Sequence, residues 1–207
     1  MLTNSKPEVP GAGLVHLPQV LSDPMAIIDA LTPVLRQSPL RHMQTRRGFL
    51  MSAAMTNCGS YGWVSDRRGY RYQTDDPDTG KPWPDMPVLL QQLANDLSTM
   101  AGYKNFQPDV CLINRYVVGA KMALHQDADE SDFEQPIVSL SFGLPVVFLW
   151  GGLQRSDPVQ KIVLDHGDVL VWGGNSRLNF HGVAPLRTGV HPLLGEQRIN
   201  LTFRRAR

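Results

Sequence analysis

Three side chains carry the chemistry of this chain: His125 and Asp127, separated by Gln126, and His181 far downstream. On an extended segment, positions i and i+2 point the same way, so one imidazole and one carboxylate face a common ion. A second imidazole from a distant strand completes a facial set of three ligands. Three coordination positions then stay open, as a non-haem Fe(II) oxygenase requires for cosubstrate and O2. Zinc is the chemical rival for such a set, but zinc does no redox work. His16, His42, His166 and His191 lack a comparable companion and read as surface or structural groups.

A second constellation lies at the end of the chain, in Arg198-Ile-Asn200-Leu-Thr202-Phe-Arg204. Polar residues hold one parity, and Ile199, Leu201 and Phe203 hold the other. As a strand, this segment puts Arg198, Asn200, Thr202 and Arg204 on one face. Two arginines on an inward face are costly without anionic partners, and a bound dicarboxylate answers both, since guanidinium matches carboxylate in a bidentate fork. The bland alternative is an edge strand whose polar face is solvated. Asn114-Arg115-Tyr116 interrupts another apolar run, with Asn114 and Tyr116 sharing a face.

The elements that must position these groups follow from periodicity. Val, Ile, Leu and aromatic residues dominate short runs at 110–116, 137–142, 146–150, 161–164, 168–172, 178–183 and 197–204, with glycines between them. Strands at this spacing predict a barrel or two-sheet sandwich. Two helices pack outside it. One runs from about Pro24 to Arg36, capped by Ser22 and disturbed by Pro33. The other follows Asp85, has Pro87 in its first turn and stops near Gly102. Residues 1–13 read as loose, and 41–84 as hairpins or a lid over the open end.

At 207 residues, with 42% hydrophobic and 19% charged, the composition is that of one globular domain. No apolar run approaches the roughly 20 residues of a membrane span, and a cytoplasmic protein is expected. Cys58 and Cys111 have no metal-binding spacing and read as reduced, buried thiols. The net charge of +1 hides an asymmetry: Arg36 to Arg71 holds seven arginines and one acid, while the remainder has 13 basic and 18 acidic residues. This basic segment also carries Phe49, Tyr61, Trp63, Tyr70 and Tyr72, a mixture suited to phosphate contact and base stacking, each stacked base contributing about 1–3 kcal/mol. The alternative is a small aromatic core under the lid.

In order, Asn114-Arg115-Tyr116, His125-Gln-Asp127, His181 and Arg198 to Arg204 resemble the AlkB family of oxidative dealkylation enzymes. Ala54-Met55-Thr56-Asn57-Cys58-Gly59 and Val171-Trp172-Gly173-Gly174 are similar to that family too, and the likeness runs from about residue 36 to Arg204. The resemblance implies a mainly β fold with flanking helices. Its double-stranded β-helix (jelly-roll) core would span about 108–204 and its nucleotide-recognition lid about 36–84, within one domain, 1–207. It implies Fe(II) on His125, Asp127 and His181. It implies 2-oxoglutarate held by Asn114, Arg115, Tyr116, Arg198, Asn200 and Arg204, with the assignment of arginine to carboxylate left open.

It further implies a substrate pocket lined by Trp63, Tyr70, Arg71, Tyr72, Asp129 and Arg155. Asp129 shares the parity of His125 and Asp127 if the strand continues, and a carboxylate there suits a base made cationic by N-alkylation; the alternative is a solvated loop acid in the run Asp127-Ala-Asp-Glu-Ser-Asp. The expected reaction couples O2 and 2-oxoglutarate to hydroxylation of an N-alkyl carbon, releasing succinate, CO2, an aldehyde and the restored base. No nucleophile triad competes with it. The expected partner is alkylated nucleic acid, single-stranded DNA in preference because no strand-separating wedge is evident, with RNA possible, and the protein is expected to be monomeric. Thr45 fits the pattern, but Phe49 stands where a tyrosine is expected, which changes how the phosphate backbone is held. Two rival readings stay open: a hydroxylase of protein or small-molecule substrates, and an idle nucleic-acid-binding relative.

Overall fold

The computed structural model describes residues 2–207. In chain order the elements are β1 (Glu8–Gly11), β2 (Leu14–Leu17), α1 (Pro24–Ala30), α2 (Thr32–Gln37), β3 (Ala54–Gly59), β4 (Gly62–Asp66), β5 (Gly69–Gln73), β6 (Asp75–Asp76) and β7 (Lys81–Pro82). They continue with α3 (Val88–Met100), β8 (Val110–Val117), β9 (Met122–His125), β10 (Ile137–Gly143), β11 (Val146–Trp150), β12 (Gln160–Leu164), β13 (Val169–Trp172), β14 (His181–Val183) and β15 (Gln197–Arg204).

Two antiparallel sheets make the jelly roll. The larger has the order β1-β2-β13-β10-β15-β8-β3 and the smaller β12-β11-β14-β9. Alternation along the large-sheet strands sorts side chains to its two faces. Ile199, Leu201 and Phe203 of β15 and Val169 and Val171 of β13 turn outward, onto Ile27, Leu31 and Val34 and onto Leu90, Leu93 and Leu97 of α3. Leu170 and Trp172 turn inward, to Val146, Phe148 and Trp150 of the small sheet. Burying these apolar faces is the main term holding the layers together. At the end of β10, Gly143 has φ +90, and a Cβ there would sit 2.3 Å from the carbonyl oxygen of Gln197, so the turn into β11 needs glycine.

The first helix departs from the sequence expectation. Asp23, rather than Ser22, is its cap, accepting the amide of Ala26 at 3.1 Å. Pro33 divides it in two: α1 ends at Ala30, and Pro33 falls in the first turn of α2, where its missing N–H costs nothing. The N-terminal stretch is also more ordered than expected, since β2 pairs with β13 and β1 with β2. The basic segment is joined to the core through its first strand. Its β3 is an edge strand of the large sheet, paired with β8, and β4–β5 and then β6–β7 follow as separate two-stranded hairpins.

Candidate metal centre and cosubstrate pocket

The ligand strands β9 and β14 are neighbours in the small sheet, and His125 and His181 are register partners. Asp127 lies just past β9. The candidate ligand atoms of His125, Asp127 and His181 all fall within 4.8 Å of one another. Each imidazole aims Nε2 at the carboxylate, 3.6 Å from Oδ1 for His125 and 3.6 Å from Oδ2 for His181. Each Nδ1 faces a carbonyl oxygen, that of Ala123 at 2.9 Å and that of Asn179 at 3.0 Å. A carbonyl only accepts, so Nδ1 carries the proton and the Nε2 lone pair points inward, as a metal ligand needs.

Protonation states agree. Burial and the neighbouring His181 push His125 down to about 4, so it is a free base at neutral pH. Burial would raise Asp127, but Arg204 and the two imidazoles overcome this and hold its carboxyl well below the usual range. A free-base imidazole at His125 and an ionised carboxylate at Asp127, with the His181 ring nitrogen within 4.8 Å, make a donor set suited to a divalent cation. The residues present therefore fit an iron ion.

Facing this set from the large sheet are β15, β8 and β10. Arg204 donates from Nε to Asp127 Oδ2 at 2.9 Å, and its Nη2 lies 2.8 Å from the same oxygen in an ion pair. Burial would lower its pKa, but the carboxylates of Asp127 and Glu130 and the phenol of Tyr72 raise it. Arg198 is 1% exposed. Its Nη2 donates to Ser141 Oγ at 2.9 Å, and its guanidinium lies 5.2 Å from the Tyr116 ring centroid. Asn200 donates to Ser139 Oγ and to the carbonyl oxygen of Leu140, both at 2.9 Å. Arg198 Nε and Nη1, Arg204 Nη1 and Asn114 Oδ1 are buried without a partner. Orphaned guanidinium donors are what an absent dicarboxylate would satisfy.

These groups line one cavity of about 670 Å³, within the size range of small-ligand sites. Its wall includes Asn114, Tyr116, His125, Asp127, His181, Arg198, Asn200 and Arg204, and its mouth Trp63, Tyr70, Asp129 and Arg155. Trp63 and Tyr70 stack with centroids 5.5 Å apart, and Trp63 Nε1 donates to Asp129 Oδ2 at 2.9 Å. Exposed Arg155 donates to the carbonyl oxygen of Leu124 at 2.7 Å.

Three expected contacts are corrected. Arg115 has the opposite parity to Asn114 and Tyr116 on β8 and lies outside the cavity. Arg71 turns away from Tyr70 on β5, and its guanidinium is taken by Asp66 at 2.8 Å and 3.0 Å. Tyr72 is buried behind the pocket and donates to Glu130 Oε1 at 2.6 Å. Sequence reading also missed Ser139 and Ser141, whose signal was two serines at alternate positions in the apolar run of β10. It missed the buried pair Arg177–Glu130, at 3.2 Å, for which the sequence has no local signature. Arg177 also donates to the carbonyl oxygen of Asp127 at 2.9 Å, so it steadies the turn that bears the ligand.

A family model described as the 2OG-Fe(II) oxygenase superfamily matches residues 13–204. The alpha-ketoglutarate-dependent dioxygenase AlkB of Salmonella typhimurium is 55% identical over 181 residues, 87% of this chain and 84% of that protein. A shorter match, 42% over 108 residues, covers 47% of this chain and 24% of the DNA N(6)-methyladenine demethylase ALKBH1D of Arabidopsis thaliana. Among solved structures, that of OsALKBH1 superposes with a TM-score of 0.84 at 28% identity, covering 97% of this chain and all of that one.

Proposed function

This chain belongs to the AlkB dioxygenases of the 2OG-Fe(II) oxygenase superfamily, and from that membership we propose how its residues carry out oxidative dealkylation of nucleic-acid bases. It is an Fe(II)- and 2-oxoglutarate-dependent dioxygenase. The observation that supports the site assignment best is one cavity holding the His125, Asp127 and His181 donors, the unpaired guanidinium nitrogens and an aromatic mouth with a carboxylate.

His125, Asp127 and His181 would hold the iron. Arg204 is bonded to Asp127 and so serves the cosubstrate carboxylate beside the metal, through its free Nη1. Arg198, with Ser141 and Tyr116 around it, serves the far carboxylate through Nε and Nη1. Bound iron supplies the redox chemistry: O2 and 2-oxoglutarate are converted to succinate and CO2, and the substrate's alkyl carbon is hydroxylated. The resulting hemiaminal then collapses to an aldehyde and the free base. Trp63 and Tyr70 hold the base by stacking, and Asp129 favours bases that N-alkylation has made cationic, such as 1-methyladenine and 3-methylcytosine. The protein's share is orientation.

The biological role is direct reversal of alkylation damage in DNA, with RNA as a further substrate. Single strands are the simplest substrate, since their bases need no unpairing. A monomer in the cytoplasm suits the two free, buried thiols. Among the described residues no helix is long and apolar enough to cross a membrane. The test is incubation with iron, 2-oxoglutarate and a short single strand bearing 1-methyladenine. Equimolar formaldehyde, succinate and repaired base are expected; succinate without repaired base would move the substrate to another class.

A further inference from the structure

The segment Ala54-Met55-Thr56-Asn57-Cys58-Gly59 forms β3, and alternation turns Met55 and Asn57 to the inner face, opposite Asn114 and Leu112 of β8. Met55 reaches the cavity wall. Asn57, two residues on, is 0% exposed and lies behind that wall. A buried carboxamide needs partners for both its oxygen and its nitrogen. At the end of the strand the chain reverses: Gly59 has φ +120, and a side chain there would run into the carbonyl oxygen of Asp109. The reversal brings β4 back against Asn57.

Both partners come from one residue. The amide of Trp63 donates to Asn57 Oδ1 at 3.0 Å, and Asn57 Nδ2 donates to the carbonyl oxygen of Trp63 at 3.0 Å. Trp63 is the register partner of Tyr72 in the β4–β5 hairpin, and these two bonds leave from the other edge of β4. One side chain thus does at a single position what a neighbouring strand does along its length. Asparagine suits the task by size and chemistry. Leucine has the size without the polar groups, an ionised aspartate accepts but cannot donate, and glutamine is one methylene longer. The ring carried by that backbone packs on Met43, Met55 and Leu112, stacks with Tyr70 at 5.5 Å and donates from Nε1 to Asp129. Further along β4, Ser65 is held separately by Gln44.

We propose that Asn57 is a positioning residue for dealkylation: by gripping the Trp63 backbone at both polar groups, it sets the height of the base-stacking wall over the candidate metal centre. Without that grip the hairpin keeps its attachment at Ser65, but Trp63 is left with an unpaired N–H and C=O, and the strand moves to pair them with water. The stacked base moves with it. The role rests on the dealkylation proposed above and belongs to a side chain behind the wall that the base stacks on.

The experiment measures kcat and KM for a single strand bearing 1-methyladenine, and KM for 2-oxoglutarate. It uses wild type, Asn57→Leu, Asn57→Asp, Trp63→Ala, and Trp63→Ala combined with Asn57→Leu. In Asn57→Leu the KM for the strand should rise about tenfold, within the contribution of one stacked base, while that for 2-oxoglutarate moves by no more than about twofold. Because Asn57 acts through Trp63, the double variant should lose no more than Trp63→Ala alone. In Asn57→Asp the loss, taken against wild type at each pH, should shrink as pH falls from 8.5 to 5.5. Burial raises the pKa of the new carboxyl, and once protonated it donates to the carbonyl oxygen of Trp63 as the amide did. Additive losses, a parallel rise in both KM values or an unchanged strand KM overturns the positioning role while dealkylation stands. Should Asn57→Leu fail to fold, the Asn57→Asp series decides, and a loss independent of pH overturns the role. Absence of repaired base in wild type overturns the dealkylation reading and the role with it.

Discussion

Arg198→Met separates a cosubstrate anchor from an ordinary core arginine, because it predicts effects of opposite sign. In the unloaded protein Arg198 is a buried cation with one hydroxyl partner, an aromatic face and two unpaired nitrogens. Burial already pushes its pKa down. Replacing buried ionic groups by apolar ones of similar volume stabilises proteins by about 1–4 kcal/mol. The Tyr116 ring and the solvent-accessible cavity offset part of the penalty here, which puts the expected gain near 1 kcal/mol, or about 2–4 °C for a chain of this length. Affinity for 2-oxoglutarate should move the other way. A hydrogen bond to a charged group contributes about 1.5–3 kcal/mol, so its loss weakens binding roughly 10- to 150-fold. Thermal unfolding with and without Mn(II) and 2-oxoglutarate, under nitrogen, reads both quantities. A variant that unfolds at lower temperature yet binds 2-oxoglutarate within twofold of wild type would refute the assignment.

Three other perturbations check separate parts of the reasoning. His125→Ala or Asp127→Ala should abolish iron-dependent turnover and retained metal while circular dichroism stays native; full activity in either rules out the triad. Asp129→Asn should weaken binding of a strand carrying cationic 1-methyladenine about tenfold and leave substrate-free succinate production unchanged, since Asp129 faces the base rather than the iron. The His16–Asp168 pair, at 3.0 Å and far from the cavity, should give a stability window in pH. His16 loses basicity to burial, but Asp168 and Glu8 raise it above its ordinary value. Burial would raise Asp168, but His16 and two backbone amides lower it. The imidazolium contributes fully below pH 6.5 and is lost as pH rises through its raised value. The carboxylate contributes above pH 3.8 and is lost on acidification. His16→Gln should therefore cost more stability at pH 5.5 than at pH 8.5 by urea unfolding, and equal costs would contradict the linkage.

Most of the candidate site's shared faces were legible because they are written in strand alternation. Arg198, Asn200, Thr202 and Arg204 share a parity, and so do Asn114 and Tyr116, and a pleated strand turns shared parity into a shared face. The same rule excludes Arg115 and Arg71, whose parity is opposite. Tyr72 shows where parity stops helping: it has the same phase as Tyr70, yet one ring is buried on Glu130 and the other is half exposed at the mouth. Depth depends on what packs above a strand, and that is set by segments remote in sequence. The ligand strand β9 went unseen for a related reason, since four residues with mixed polarity make too short a pattern. The early strands β1 and β2 are equally brief, and β2 is fixed by its docking on β13. Arg177 and Glu130 meet only in three dimensions.

The proposed iron ligands all come from the small sheet and its trailing loop, and the proposed dicarboxylate-binding groups from the large one, with Arg204–Asp127 as a clasp between them. The distance from oxidant to fuel is thus set by how firmly two layers close, through contacts such as Phe148 and Trp150 on Trp172. Slackening those contacts would leave each half-site intact but let the halves drift out of step. The symptom would be futile consumption of 2-oxoglutarate, with lesions left in place, rather than weaker binding of either component.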